Sequence, residues 1–170
     1  MTARSLGASI ALAVLAADQL VKFAVLALAR GTANAPEPLA PLIDLSLRFN
    51  RGVSFSLFAQ RSEVGEAGLL AFTLAATALL GLWLWRSRST LTAAGLGAII
   101  GGALGNAVDR LLHGAVVDYL DLHAFGRHFF VFNLADAAIN LGVAILILDL
   151  LFGSQPARRH DRAASPPQAN

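Results

Sequence analysis

The stretch FVFNLADAAINLGVAILILDLLF, residues 130–152, decides how the chain folds. Residues 134–152 form an apolar run close to the ~20 residues that cross a ~30 Å bilayer core as a helix. The first turn of this run nevertheless carries Asp136, and Asn133 stands three residues before it. The two residues could simply cap the helix, because such side chains accept hydrogen bonds from its free backbone N–H groups. Alternatively, Asp136 could perform chemistry at the membrane surface.

The composition indicates a membrane protein. Of the 170 residues, 56% are hydrophobic and 14% are charged, and the mean hydropathy is +0.62, whereas a soluble domain carries about 25% charged residues. The absence of cysteine excludes disulfides, thiolate metal ligands and a cysteine nucleophile. No basic run is interleaved with aromatic residues, so we expect no nucleic-acid partner.

Four apolar segments are long enough to predict membrane spans. They are Leu6–Ala29, Gly68–Trp85, Leu91–Val108 and Leu134–Phe152. The first could instead be a cleaved signal peptide, with small residues at Ala27 and Ala29. Asp18, Gln19 and Lys22 interrupt that run and argue against cleavage.

The third segment carries Gly97, Gly101 and Gly105 at intervals of four residues. This spacing puts the glycines on one helix face, where a neighbouring helix could approach closely. Glycine is also simply frequent in membrane helices, so the pattern leaves both interpretations open.

Two short segments between the spans predict strands. In IDLSLRFN, residues 43–50, apolar side chains alternate with Asp44, Ser46, Arg48 and Asn50, which predicts a half-buried strand. His128–Phe132 is a second β-prone run. Both runs fall on the same side of the membrane, so we expect them to pair.

The predicted fold is therefore an all-α membrane protein, a four-transmembrane-helix bundle with a small extracytoplasmic β-sheet. We expect a single domain over residues 1–152, with extracytoplasmic loops at 30–67 and 110–133, and a disordered cytoplasmic tail at 153–170. The arginine count is tied at six on each side of the membrane and does not give the orientation. Arg86 and Arg88 in one short loop favour cytoplasmic termini.

Several ionisable residues stand where they cost free energy. A charge at mid-membrane costs about 2.5–3.5 kcal/mol on insertion scales, so such residues usually face the bundle interior. Asp18 and Lys22 are four residues apart and can form an ion pair within one helix, a structural role. Asn106 and Arg110 share a helix face, with Asp109 beside them, and this could be only a helix end that becomes polar as it leaves the membrane.

Asp118 and Asp136 attract attention as a pair. On the predicted topology they lie on the same side of the membrane, 18 residues apart. Two carboxylates at one site share a proton, because both cannot ionise cheaply. Such a pair can activate water, one group accepting the proton of the water while the other donates to the substrate. His113, His123 and His128 lack the HExxH spacing of a zinc protease and are interpreted as interfacial residues.

Five blocks of the chain resemble the lipoprotein signal peptidase (signal peptidase II) family of bacterial intramembrane aspartyl proteases. They are DQLVK at 18–22, FNRGVSF at 49–55, GGALGNAVDR at 101–110, GAVVDY at 114–119 and FNLADAAI at 132–139. The blocks follow the order of the family and cover residues 6–152. The resemblance implies an enzyme of the cytoplasmic membrane that removes the signal peptide of a prolipoprotein, cleaving before a cysteine that carries diacylglycerol. It also favours retention of the first helix.

The resemblance also implies roles for individual residues. Asp118 and Asp136 are expected to be catalytic. The residues expected to bind substrate are Asn50, Gly52, Asn106, Arg110 and Asn133, and the expected structural polar residues are Asp18, Lys22 and Asp109. We expect neither a metal nor an organic cofactor, and a monomer in the lipid bilayer whose partner is the diacylated prolipoprotein. Ser54 and Ala137 depart from the usual family residues, which leaves the substrate fit open.

Two other functions compete with a protease. A proton- or ion-coupled transporter could use the same buried acids as a relay, although the two halves of the chain do not resemble each other as transporter repeats do. A small structural membrane subunit could use its polar groups only to lock helix packing.

Overall fold

The computed structural model describes residues 1–29, 36–52 and 63–152. The helices are α1 (Ala3–Ala29), α2 (Glu63–Arg86), α3 (Thr90–His113) and α4 (Leu134–Phe152), and the strands are β1 (Glu37–Ala40), β2 (Ile43–Asn50), β3 (Val116–Ala124) and β4 (Arg127–Phe132). All four helices are long and apolar enough to cross a membrane. The predicted bundle with a small sheet is therefore confirmed. The predicted tail 153–170, and Ser54, lie outside the described residues.

Helix α3 occupies the centre of the bundle, because its glycines allow the backbones of two other helices to approach. A Cβ atom on Gly97 would stand 2.4 Å from the backbone oxygen of Gly7 in α1, and one on Gly102 would stand 2.4 Å from that of Ala135 in α4. No side chain fits at such distances. The close approach suggested by the glycine spacing is present, and it brings polar residues of three helices together.

Helix α3 is longer than the predicted span, which ended at Val108. It continues to His113 and ends at Gly114, whose φ of 63° and N–H bond to the Arg110 oxygen form a left-handed cap. Arg110 therefore lies in the helix and not in a loop beginning at residue 110. The polar residues near this end do not stop the helix, because the bundle buries Asn106 and Asp109. Helix α2 likewise begins inside the predicted loop 30–67.

The sheet is antiparallel, with strand order β1-β2-β3-β4. Strand β2 has the predicted bounds and β4 nearly so, but the two are not neighbours, because β3 lies between them. Strand β3 was not predicted. Its first five residues are almost all buried, so polar and apolar residues do not alternate along it as they would in a half-exposed strand. Asp118 and Asp121 are among its buried residues.

The predicted alternation of β2 is wrong in detail, because a bulge shifts its register between Leu45 and Arg48. The shift puts Arg48 opposite Asp118 and Asn50 opposite Val116, on the same side as the apolar residues that precede the bulge. Ser46 is buried in consequence, and Phe49 is 52% exposed. Asp118 thus adjoins an apolar surface, which we call the cradle face, made of Ile43, Leu45, Leu120, Leu122, Phe130 and Phe132.

Candidate active site

Asp118 lies on β3, four residues after the glycine that ends α3, and is 3% exposed. Its Oδ1 accepts a hydrogen bond from the Asn133 side-chain amide at 2.7 Å, and its Oδ2 accepts one from the Asn50 amide at 3.0 Å. Burial raises the pKa of the Asp118 carboxyl, the bond from Asn50 lowers it, and the negative charge of Asp136 raises it. Asp118 and Asp136 are therefore close enough to influence each other.

Asp136 lies in the first turn of α4, where it forms a reciprocal capping box with Asn133. The Asp136 N–H donates to Asn133 Oδ1 at 2.9 Å, and the Asn133 N–H donates to Asp136 Oδ2 at 3.3 Å. The capping interpretation is confirmed. It leaves Asp136 Oδ1, which accepts a 2.8 Å bond from the Asn106 amide, on the side of the site. Capping therefore positions the carboxylate for further chemistry.

Asn133 connects the two carboxylates. Its side-chain amide donates to Asp118, and its backbone N–H donates to Asp136. The same amide nitrogen lies 3.2 Å from Asn106 Oδ1. One residue from the link between β4 and α4 thus holds both acids in one hydrogen-bonded network.

The orientation of the Asn106 amide follows from Lys22. The Lys22 ammonium, which can only donate, lies 3.1 Å from Asn106 Oδ1. The Asn106 amide nitrogen must therefore face Asp136. The buried Lys22 ammonium in α1 therefore determines that the Asn106 amide in α3 presents its nitrogen, and not its oxygen, to the Asp136 carboxylate in α4.

The predicted pair of Asp18 and Lys22 is present and belongs to a larger ionic cluster. The Lys22 ammonium lies 2.8 Å from Asp18 Oδ2 and 2.7 Å from Asp109 Oδ2, and all three side chains are buried. Gln19, which sequence analysis did not place at the site, donates to both acids at 3.2 Å. The single ammonium pairs with both carboxylates, so each buried charge has a partner of opposite sign.

This ionic cluster also holds the backbone next to each candidate catalytic residue. Asp18 accepts a 3.0 Å bond from the Ala135 N–H, beside Asp136, and Asp109 accepts a 3.0 Å bond from the Val117 N–H, beside Asp118. The structural role expected for these acids therefore includes fixing the start of α4 and the start of β3 relative to α1.

Gly52 orients Asn50. Its φ of 110° is a conformation that glycine adopts without strain, and its N–H donates to Asn50 Oδ1 at 3.1 Å. With the oxygen so engaged, the Asn50 amide nitrogen faces Asp118. Gly52 thus acts on Asp118 through Asn50.

Arg110 is half-buried in the last turn of α3. Within the described part of the chain, it forms no close ion pair with Asp118 or Asp136. Its guanidinium interacts electrostatically, at longer range, with the negative charges of Asp136, Asp109 and Asp118. Its side chain lines a cleft of about 180 Å³ between α2 and α3. The other lining residues are Arg51, Glu66, Ala67, Leu69, Leu70 and Gly114. Arg110 is therefore available to a ligand in this cleft.

Tyr119 is a site neighbour that sequence analysis missed. Its buried hydroxyl accepts a 3.2 Å bond from the Leu134 N–H, in the first turn of α4. Burial raises the pKa of Tyr119 to about 12, so the hydroxyl stays neutral. Its position directly after Asp118 was visible in the sequence, but the bond to α4 depends on the tertiary fold.

Each of the three histidines contacts a residue other than Asp118 and Asp136. His123 Nε2 lies 3.1 Å from Asp44, His128 Nδ1 lies 3.0 Å from Asp121, and the His113 ring meets Phe49 edge-on. Within residues 1–29, 36–52 and 63–152, no three histidine, aspartate or glutamate side chains converge closely enough to hold a metal ion.

A four-span bundle whose polar centre joins two carboxylates through shared amides is typical of a membrane-embedded protease of the aspartic type. Known proteins specify the family. The model of the family described as signal peptidase (SPase) II matches residues 10–152. The chain therefore belongs to the signal peptidase II family and is a multi-pass bacterial membrane protein.

Individual relatives agree with this assignment. A lipoprotein signal peptidase of Methylocella silvestris is 46% identical over 157 residues, which cover 92% of each chain. One of Methylobacterium radiotolerans is 50% identical over 129 residues, covering 76% of this chain and 74% of the relative. A solved structure described as a bacterial membrane enzyme at 1.9 Å resolution superimposes with a TM-score of 0.73 at 24% identity, covering 87% of this chain and 94% of the other. That last likeness concerns the fold.

Proposed function

We propose that the chain is an aspartic endopeptidase that removes the signal peptide from diacylglyceryl-modified bacterial prolipoproteins. Cleavage falls before the lipidated cysteine. The observation that carries the proposal is the joint attachment of Asp118 and Asp136 to Asn133, at 2.7 and 3.3 Å. Family membership supports the same substrate class.

The two carboxylates divide the acid and base roles. Burial and the charge of Asp136 favour the neutral form of Asp118, so in this mechanism Asp118 carries the shared proton. Asp136 then accepts a proton from the attacking water, while Asp118 donates its proton to the carbonyl oxygen of the scissile peptide, which gives a tetrahedral gem-diol. As the C–N bond breaks, Asp136 passes its proton to the leaving amine nitrogen and Asp118 takes a proton back from the gem-diol, so both acids return to their starting states.

The surrounding amides hold both acids in place during these steps. Asn50 and Asn133 donate to Asp118, and Asn106 donates to Asp136. Fixed donors lower the barrier because they need no reorganisation as charge develops. Arg110, at the edge of the cleft, supplies positive charge near the developing oxyanion.

The cradle face supplies the apolar surface for the substrate. It continues from Asp118 along β3 and onto β2 and β4. An extended peptide held there presents its scissile bond to Asp118, while the acyl chains of the substrate stay in the bilayer. Positioning of this kind converts a bimolecular reaction into an effectively unimolecular one. In this proposal both termini are cytoplasmic, the site faces the outer leaflet, and the enzyme acts as a monomer.

The direct test uses purified protein in liposomes. A diacylated prolipoprotein and the same prolipoprotein without the lipid are incubated separately, and products are identified by mass spectrometry. We expect loss of the signal peptide from the diacylated substrate only, with the lipidated cysteine as the new N-terminus. Cleavage elsewhere, or equal cleavage of both substrates, would refute the specificity. Ion flux without proteolysis would favour the transporter instead.

A further inference from the structure

Four large apolar side chains are exposed at the end of the sheet farthest from Asp118. We call this surface the distal tip, and it consists of Leu39, Leu42, Phe125 and Phe129. The two hairpin turns of the sheet meet here, because the His123 N–H donates to the Leu42 oxygen at 3.0 Å. Large apolar side chains gathered in the open at one end of a sheet usually mark a site of interaction.

Phe125 is the most unusual residue of the distal tip. Phe125 and Gly126 form the two-residue turn between β3 and β4, with φ values of 52° and 73°. Such turns favour asparagine, aspartate or glycine at the first position, because a positive φ is unfavourable for other residues. The Phe125 side chain is also fully exposed, at 103%. Packing against the described part of the chain therefore does not compensate for the strained backbone or for the exposed ring.

The connections of the sheet place its root at the membrane surface. Two residues separate the end of α3 from the start of β3, and one residue separates the end of β4 from the start of α4. Six residues of extended strand span about 20 Å. A sheet standing upright would hold the distal tip about that far above the membrane, in water. A sheet lying along the surface would bring the tip to the lipid headgroups.

A positive charge at the distal tip favours the orientation in which the sheet lies along the membrane surface. Arg127, exposed and two residues after Phe125, stands where a lipid phosphate would attract it. Aromatic rings beside a cation are typical of segments that enter the interface between headgroups and acyl chains.

We propose that the distal tip inserts into the outer leaflet, so that the sheet lies along the membrane with one end fixed by α3 and α4 and the other by Phe125, Leu42 and Leu39. The occupant of this surface is lipid, and the role is separate from peptide hydrolysis. Anchoring keeps the cradle face at a constant height beside the bilayer.

The absence of cysteine in the chain allows one nitroxide label at a time. We would label Phe125→Cys in liposomes and measure collision with oxygen, which concentrates in lipid, and with a water-soluble nickel chelate. Leu148→Cys, exposed on α4, is the lipid reference, and Arg88→Cys, in the loop between α2 and α3, is the water reference. The expected result at 125 is oxygen collision above that at 88 and nickel collision several-fold below it.

Two results would overturn the proposal. Nickel collision at 125 equal to that at 88 would mean that the tip is in water. Protection from both reagents would mean that protein, such as a second copy of the chain, covers the tip. Because a nitroxide is itself apolar, Phe125→Trp in a Trp83→Phe, Trp85→Phe background provides the second measurement. Quenching of its fluorescence by brominated lipids is expected, and unquenched fluorescence would contradict insertion.

Discussion

The side-chain amide of Asn133 donates to the carboxylate of Asp118 across 2.7 Å, although Asp118 belongs to β3 and Asn133 to the link between β4 and α4. The Oδ1 atom of the same side chain caps α4 by accepting from the Asp136 N–H, and the Asn133 backbone N–H donates in return to Asp136 Oδ2. One asparagine therefore performs a structural task and a positioning task. This is why the helix cap and the candidate active site coincide in this chain.

Asn133→Ala should impair catalysis more than stability. The variant removes a donor from Asp118 and the cap of α4, and loss of one preorganised donor typically costs about 10²–10³ in kcat. Loss of a cap costs about 1 kcal/mol of unfolding free energy. The measurement is steady-state cleavage of a diacylated prolipoprotein. Asn140→Ala, an exposed position on α4, is the control and should keep wild-type turnover. Equal turnover of both variants would exclude the positioning role.

Lys22→Met should destabilise the protein strongly. It leaves the carboxylates of Asp18 and Asp109 buried without their cation. Breaking a buried ion pair in this way costs about 3–5 kcal/mol. Unfolding in detergent, followed by circular dichroism, measures the loss. Arg88→Met removes an exposed charge and should change stability by only about 0.5 kcal/mol. A similar small change for Lys22→Met would show that the ionic cluster does not hold the fold.

Two glycine-to-alanine substitutions should change the free energy of unfolding in opposite directions. A Cβ atom at Gly97 would stand 2.4 Å from the Gly7 oxygen, whereas one at Gly81 meets no atom within 4 Å. Gly97→Ala should therefore lower the unfolding free energy by about 1–3 kcal/mol through overpacking. Gly81→Ala should raise it by up to about 1 kcal/mol, since alanine favours the helix. Thermal unfolding in one detergent compares them, and a stabilised Gly97→Ala variant would contradict the close contact between α1 and α3.

The pH dependence of stability should report on Asp118. Its pKa is raised in the folded protein, mainly by burial, so the folded state holds this proton more tightly than the unfolded state. The stabilisation is complete below the ordinary aspartate pKa and declines as pH rises through the raised value. Asp118→Asn, which does not ionise, should flatten this part of the profile. Melting temperatures of both proteins across the acidic range measure it, and parallel profiles would refute the shift.

Much of this architecture is predictable because the thickness of the membrane fixes the length of a helix that spans it. The span Leu134–Phe152 has the predicted bounds, and the close contacts of α3 are one of the two interpretations that its glycine spacing left open. The end of α3 was not predictable by polarity, since Asp109 is satisfied by Lys22 from another helix. Strand β3 escaped prediction because burial on both faces removes the alternating pattern.

The sequence predicts which acids the candidate site contains, but not the hydrogen bonds that connect its residues. Asp118 and Asp136 could be paired because both are acids at one membrane surface. The bulge that moves Arg48 and Asn50 to the side of Asp118 leaves no mark in the alternation of residues 43–50. The bond from Gly52 to Asn50, and that from Tyr119 to α4, depend on tertiary contacts that no local pattern encodes.

The most direct test of the central claim compares three aspartate-to-asparagine variants in cleavage of a diacylated prolipoprotein. Asp118→Asn and Asp136→Asn remove one member of the acid pair while preserving shape. Asp44→Asn removes a carboxylate that contacts His123 on the same sheet. The mechanism predicts that each of the first two variants loses about 10³-fold or more in kcat while remaining folded, and that Asp44→Asn cleaves like the wild type. Undiminished cleavage by either Asp118→Asn or Asp136→Asn would contradict the two-carboxylate mechanism.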